Sequence, residues 1–262
     1  MGIEPTALCL GSKWSPNWVA GRDEQIRGVR AQHEAGTRIV WAPGDLLAAV
    51  VSCGHDHRGG QRRHTVSSTT SPSISTVAGA DKERAVATIV TAFSGDPVVR
   101  WVFPDPLQYL SYAPELVRRF CGKAFEGQSA FAVEGFMGAA LWLRPGVEPD
   151  GESLAEMMQR AVPEADQEKV SDLFGQMAEY HPHEPLWYLP MIGVDPARQG
   201  MGLGSALLAH ALAEVDREAK SAYLEATSDR SRDLYAHYGF EVTGTVQVAD
   251  SPPMFPMLRK AR

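Results

Sequence analysis

The chain is 262 residues long, 44% of them hydrophobic, with a formal net charge of −7. That size and apolar content suffice for one full core plus an appendage, and the acidic balance argues against a nucleic-acid-binding surface, which needs a basic face. No apolar run approaches the length of a membrane span and Met1-Gly2-Ile3-Glu4 lacks the basic start of a signal peptide, so a cytoplasmic protein with neither nucleic-acid nor membrane partners is expected.

Residues 1–64 are rich in Gly, Arg and His, as in His55–His64, with only short apolar runs near Ile39 and Leu46. Little apolar surface is available there to offset the entropy of ordering. A weakly structured extension is therefore predicted over 1–74, closing in a Ser/Thr/Pro linker at Thr65–Thr76, with the folded domain over 75–262. Cys53, His55, His57 and His64 carry metal-ligating side chains, but the paired-cysteine spacing is missing and no metal is expected. Cys9, Cys53 and Cys121 are scattered and odd in number, which argues against a disulfide framework.

Beyond the linker, helical spacing at Ala85, Ile89 and Phe93 predicts a helix over 81–93, and Leu116, Val117, Phe120 and Ala124 predict another over 113–125. Two β-like runs, 129–134 and 136–143, meet at Gly135 as a hairpin that stops at Arg144-Pro145-Gly146. Residues 153–180 read as one or two helices interrupted near Pro163. A strand over 186–194, a helix over 200–218, a strand over 222–226 and a short helix over 230–238, stopped by Gly239, follow. Closing strands over 241–248 and 254–259 complete a mixed sheet flanked by helices, an α/β domain.

The most informative stretch runs from Val194 to Ser205, where an apolar strand passes into a helix through Arg198-Gln199-Gly200-Met201-Gly202-Leu203-Gly204. Glycines let the backbone approach a ligand closely, so amides at the helix start can point at a pyrophosphate, and a cation beside a bare helix start suits an anion. There is no Gly-Lys-Ser/Thr for a Walker loop, and the glycines are not spaced as G-x-G-x-x-G. The Q-x-x-G-x-G string from Gln199 resembles the acetyl-CoA loop of the GCN5-related N-acetyltransferase (GNAT) superfamily. His181 to Leu189, Tyr223-Leu224-Glu225, Leu234-Tyr235 to Phe240, and Met257 to Lys260 look like the bacterial branch that contains puromycin N-acetyltransferase.

That resemblance implies a GNAT fold, α/β in the α+β sense, with a mostly antiparallel central sheet splayed at the cofactor strand. It implies an enzyme that moves an acetyl group from acetyl-CoA to a primary amine of a small molecule by direct attack in a ternary complex. A non-catalytic CoA-binding sensor or scaffold and a protein N-acetyltransferase are the alternatives, and a homodimer stays open. For the cofactor, the resemblance assigns the backbone of Ile192, Gly193 and Val194 to pantetheine. It assigns Arg198, Gln199, Gly200, Met201, Gly202, Leu203, Gly204 and Ser205 to the pyrophosphate. Ser231 stands where many relatives carry a cofactor-contacting asparagine.

Proline within the strand at Pro190 favours a bulge or an edge, and the family splay falls there. Tyr235 occupies the family position for the donor to the leaving thiolate, although an aromatic at helical spacing with Leu234 and Tyr238 also suits a core. Glu225 is the first choice to take the amine proton, with His181, and then His183 and Glu184, as other candidates. Trp101, Phe103, Trp142 and Trp187 either line an aromatic acceptor pocket or belong to the core.

Overall fold

The apolar runs on either side of Gly135 pair as antiparallel strands β2 (Ala130–Val133) and β3 (Gly138–Leu143), joined by a turn in which Gly135 takes φ 75°. This hairpin anchors a computed structural model that describes residues 72–262. The predictions for the 1–64 extension and for Cys53, His55, His57 and His64 fall outside the described residues. So does the predicted linker, apart from its end.

That end differs from expectation: Ile74–Thr76 is a strand, β1, antiparallel to β2 with Ile74 opposite Val133. Two of its three residues are exposed, so no alternation of apolar and polar residues could announce it. It is held through its backbone to the free edge of β2. The other strands are β4 (Trp187–Val194), β5 (Ala222–Ala226), β6 (Glu241–Val242) and β7 (Phe255–Arg259). The seven-stranded sheet has the order β1-β2-β3-β4-β5-β7-β6, antiparallel throughout except between β4 and β5.

Eight α-helices accompany the sheet among the described residues: α1 (Lys82–Ala92), α2 (Pro97–Val102), α3 (Pro106–Cys121), α4 (Lys123–Glu126), α5 (Gly151–Ala161), α6 (Glu164–Tyr180), α7 (Leu203–Arg217) and α8 (Asp229–His237). Helix α2 has no counterpart among the predicted elements, and α3 starts seven residues before the helix predicted over 113–125. Both helices start with an Asp-Pro pair: the carboxylates of Asp96 and Asp105 accept the N–H groups of the second and third helical residues, and proline fills the first position. Pro114 inside α3 hid the continuity of that helix.

Strand alternation divides the core. Leu141, Leu143, Tyr188, Met191 and Tyr223 face a cluster that contains Ile89 of α1, Phe120 of α3 and Met157 of α5. Ala140, Trp142, Trp187 and Leu224 face the opposite layer, with Leu207, Ala211 and Val215 of α7 and Tyr235 of α8. Arg259 on β7 is 2% exposed and fully paired: it makes two hydrogen bonds to Asp216 of α7, 2.7 and 2.9 Å, and donates to the Tyr238 carbonyl at 3.0 Å. A buried guanidinium satisfied in this way ties the last strand to both helices of its layer.

The packing of α1 on β4 depends on a missing side chain at Gly193, where a Cβ would lie 2.5 Å from that of Ala92. Gly193→Ala therefore has to push the end of α1 off the sheet. The expected loss of stability is about 1–3 kcal/mol, the usual range for overpacking, seen as a lower midpoint in urea with an unchanged slope.

Candidate active site

Pairing between β4 and β5 stops at Leu189 and Leu224, one residue before Pro190. On the other side of β4 the register with β3 shifts between Tyr188 and Met191, so that Leu189 and Pro190 both face Trp142. This is the bulge anticipated at Pro190, and the ring, which has no N–H to donate, sits where the ladder ends. Past it, Met191 to Val194 pair with β3 alone. The opened edge lines a cleft of about 770 Å³ that includes Ile192, Gly193, Val194, Arg198, Gln199, Gly200, Gly202, Leu203, Gly204, Ser205, Glu225, Ser231 and Tyr235. Of the residues singled out in the sequence as site residues, Met201, His181, His183 and Glu184 do not line it. Met201 is 60% exposed.

At one end of the cleft the glycine loop is preorganised. Asp195 accepts the N–H of Ala197 at 2.9 Å, Gly200 and Gly202 take φ 79° and 77°, and Gly202 is the N-cap of α7 with no side chain capping the helix. Gln199 folds back on its own loop, its amide 3.4 Å from the Val194 carbonyl. Arg230, which the sequence reading did not select, reaches Gln199 at 3.4 Å and lines the cleft with Arg198. A cation in the first turn of a helix opposes the helix dipole, so its position in α8 is a signal for an anion that could have been read from Ser228-Asp229-Arg230. Ser231 lines the cleft, but its hydroxyl is engaged in a capping box with Ser228, donating to the Ser228 carbonyl at 2.9 Å.

The other end carries carboxylates. Glu225 on β5 accepts the Tyr188 hydroxyl at 3.0 Å. Burial pushes its carboxyl up to about 7, against the opposing pull of the Tyr188 and Tyr223 hydroxyls. Asp96 caps α2 with one oxygen and accepts the Thr227 hydroxyl at 2.5 Å with the other. Burial raises its carboxyl as well, partly offset by those hydrogen bonds. Tyr235 is 7% exposed and packs edge-on against Phe240 at 6.1 Å. Burial, and then the Asp96 charge, push its phenol up, so it is a persistent proton donor rather than a phenolate.

His181 stands apart from the cleft, its ring edge-on to Tyr188 and Tyr223 with centroids 4.8 Å from each. Burial and the neighbouring His183 lower it to about 4, so it is neutral at physiological pH. The aromatic acceptor pocket does not form. Phe103, Trp142 and Trp187 are fully buried in the core, and Trp101 donates its indole N–H to Asp250. Large apolar surface favours burial over lining an open cleft.

Residues 162–242 match the family model for the acetyltransferase (GNAT) domain. The chain carries a GNAT acetyltransferase domain. An uncharacterised N-acetyltransferase of Schizosaccharomyces pombe is 26% identical over 190 residues, covering 61% of this chain and 70% of that one. A Corynebacterium glutamicum structure described as histone acetyltransferase HPA2 and related acetyltransferase superposes with a TM-score of 0.53 at 25% identity, over 73% of this chain and 97% of that one. The polyamine N-acetyltransferase of Drosophila melanogaster shares the fold at a TM-score of 0.55 and 13% identity, over 72% and 99% of the two chains.

The protein is thus an acyltransferase of the GNAT type, from a family that generally uses acetyl-CoA. Within this GNAT domain the matched segment spans β4, the glycine loop, Glu225 and Tyr235, while Asp96 lies outside it. The raised carboxyl of Glu225 has a consequence for stability. Its folded-state proton affinity exceeds the unfolded one, so its stabilising contribution is complete below about 4.5 and is lost as pH rises through about 7. Glu225→Gln, neutral throughout, is expected to gain several degrees in Tm relative to the wild type at pH 8 and little at pH 5, measured by calorimetry at both.

Proposed function

We propose that this GNAT enzyme transfers an acetyl group from acetyl-CoA to a primary amine of a small molecule, by direct attack of the amine within a ternary complex. The observation that carries the reading is the cleft itself. It joins an unpaired strand edge and an uncapped helix start to a half-buried carboxylate and a buried phenol. The residues present suit the cofactor. Met191 to Val194 offer backbone groups on the side facing away from β3, as a pantetheine chain requires. The bare N-terminus of α7, flanked by Arg198 and Arg230, suits a diphosphate.

When bound, acetyl-CoA supplies an activated acetyl thioester at the splay. Glu225 accepts a proton from the amine, since an ammonium has no lone pair with which to attack, and a carboxyl near 7 is matched to that task at physiological pH. The hydroxyl of Tyr235, which lines the cleft, would serve as a hydrogen-bond donor to the leaving thiolate. With its phenol pushed up, it stabilises that charge as a hydrogen-bond donor without giving the proton away fully. The Asp96 and Glu225 end of the cleft favours a cationic acceptor over an anionic one.

Release of CoA thiol, followed with acetyl-CoA and a panel of 2-phenylethylamine, putrescine, agmatine and lysine amide, tests the reaction. Absence of turnover with every amine, together with no heat of binding for acetyl-CoA, overturns it. Tyr235→Phe should lower kcat about 100-fold while leaving the acetyl-CoA Kd within twofold by calorimetry. Arg198→Ala and Arg230→Ala should each weaken acetyl-CoA binding about tenfold and leave binding of S-acetylpantetheine, which lacks the diphosphate, unchanged.

A further inference from the structure

We propose that Tyr188 holds the Glu225 carboxylate in its working orientation with Tyr223 packed beside it, and that His181 is a wedge holding the two phenols in place. All three are positioning residues for one proton acceptor. The inference rests on the reading of Glu225 as the group that takes the amine proton.

The strand register brings these groups together. Tyr188 and Tyr223 are partners across the parallel β4–β5 pair, and Glu225 follows Tyr223 by two positions on the same face of β5. Tyr188 donates to Oε2 of Glu225 at 3.0 Å, and Glu225 lines the cleft. Tyr223 is fully buried and its hydroxyl has no hydrogen-bond partner. After burial, the Glu225 carboxylate is the strongest influence on that hydroxyl. Burial and the Glu225 charge push both phenols up, so they remain protonated and Tyr188 acts on Glu225 only as a donor. During transfer an N–H bond of the amine breaks and an O–H bond forms on Glu225, while Tyr188 keeps its own proton.

His181 completes the arrangement. It follows the C-terminus of α6, its N–H held by the Met177 carbonyl at 3.1 Å, and its ring meets Tyr188 at 84° and Tyr223 at 74°. The two tyrosine rings lie 5.8 Å apart, and Phe120 of α3 closes the far side of Tyr188 at 6.1 Å. A ring gripped between two others has the geometry of a spacer. It meets the phenol rings and does not line the cleft. The remaining titratable groups around this cluster are Cys121 on α3, Tyr180 on α6, His183 after it, Asp96 at the start of α2, and Tyr235 and Arg230 on α8. On β7 the residue opposite Glu225 is Pro256, which carries no charge.

Protein labelled with 13C at the glutamate δ-carbon, free of acetyl-CoA, reads the carboxylate directly, and Glu225→Gln identifies its resonance by loss. The wild-type resonance should titrate near 7. Tyr188→Phe removes a donor to the charged form and should move that midpoint up by about one unit, with the acid limb of kcat/KM moving equally for the best amine of the panel. His181→Phe keeps a ring in the wedge and should retain at least a third of kcat with an unmoved midpoint. His181→Ala should lower kcat at least tenfold without a change in the acetyl-CoA Kd.

An unmoved midpoint in Tyr188→Phe overturns the hold of Tyr188 on Glu225, and loss of activity in a folded His181→Phe overturns the wedge. Wild-type kcat in Glu225→Gln overturns instead the reading of Glu225 as the base, leaving the titration result to stand separately.

Discussion

A proline without an N–H, set at the point where two parallel strands have just begun to pair, is the constraint on which this site depends. Pro190 cannot extend the β4–β5 ladder, and the accompanying bulge opposite Trp142 turns the rest of β4 toward β3 alone. An unpaired strand edge in mid-sheet is ordinarily a defect, because its amides and carbonyls require partners. Here the gap is held open by packing on both faces. On one face α1 lies against Gly193 so closely that no side chain fits between them, and on the other Leu207 of α7 and Tyr235 of α8 belong to one buried cluster. The cleft is thus built by rigid elements whose own cores are full, and its backbone valences are left for a ligand.

The same opening sorts charge. Cations, Arg198 and Arg230, flank the loop where the α7 amides are bare, and carboxylates, Asp96 at the start of α2 and Glu225 on β5, line the same cleft. No lysine or arginine among the described residues pairs with Glu225, so its charge meets only the phenols beside it and whatever enters the cleft. Neutral His181 belongs to this logic. A protonated imidazole beside Tyr188 would hold Glu225 as a carboxylate well below neutrality, weakening it as a proton acceptor near pH 7.

Much of this was legible in the sequence because it is written in local patterns. The glycine loop, the proline in the strand, Tyr235 in its short helix and Glu225 at the end of an apolar run each carry their signal within a few residues. The structure brings Glu225, Tyr235 and the loop together in one cleft. What the sequence concealed depends on contacts between distant segments or on edges. Strand β1 has no buried alternation, and α2 is too short to show a period. The Asp96–Thr227 bond joins residues 131 positions apart, and His181 looked like a site residue because nothing local reveals that two tyrosines enclose it. Ser231 was legible as a cleft residue, but not that its hydroxyl is committed to the cap of α8, which leaves Arg230 as the side chain of that turn that lines the cleft and reaches Gln199.

The division between matched and unmatched segments has a physical sense. The family model covers β4 to β6, the part that forms the strand edge, the phosphate loop and the two groups proposed for proton handling. The start of α2 lies outside it, contributes Asp96 to the acidic end of the cleft, and is joined to the β5–α8 turn by the Thr227 hydroxyl. Specificity in such a fold is expected on segments that can vary without disturbing the scaffold. A cap-and-hydroxyl joint meets that condition: the carboxylate satisfies two amides of its own helix, so the turn holds its shape by local bonds, and a single side chain registers it against the β5–α8 turn. On the proposed reading, a different acceptor amine would call for remodelling of a short capped helix, while the splayed strand and Glu225 stay as they are.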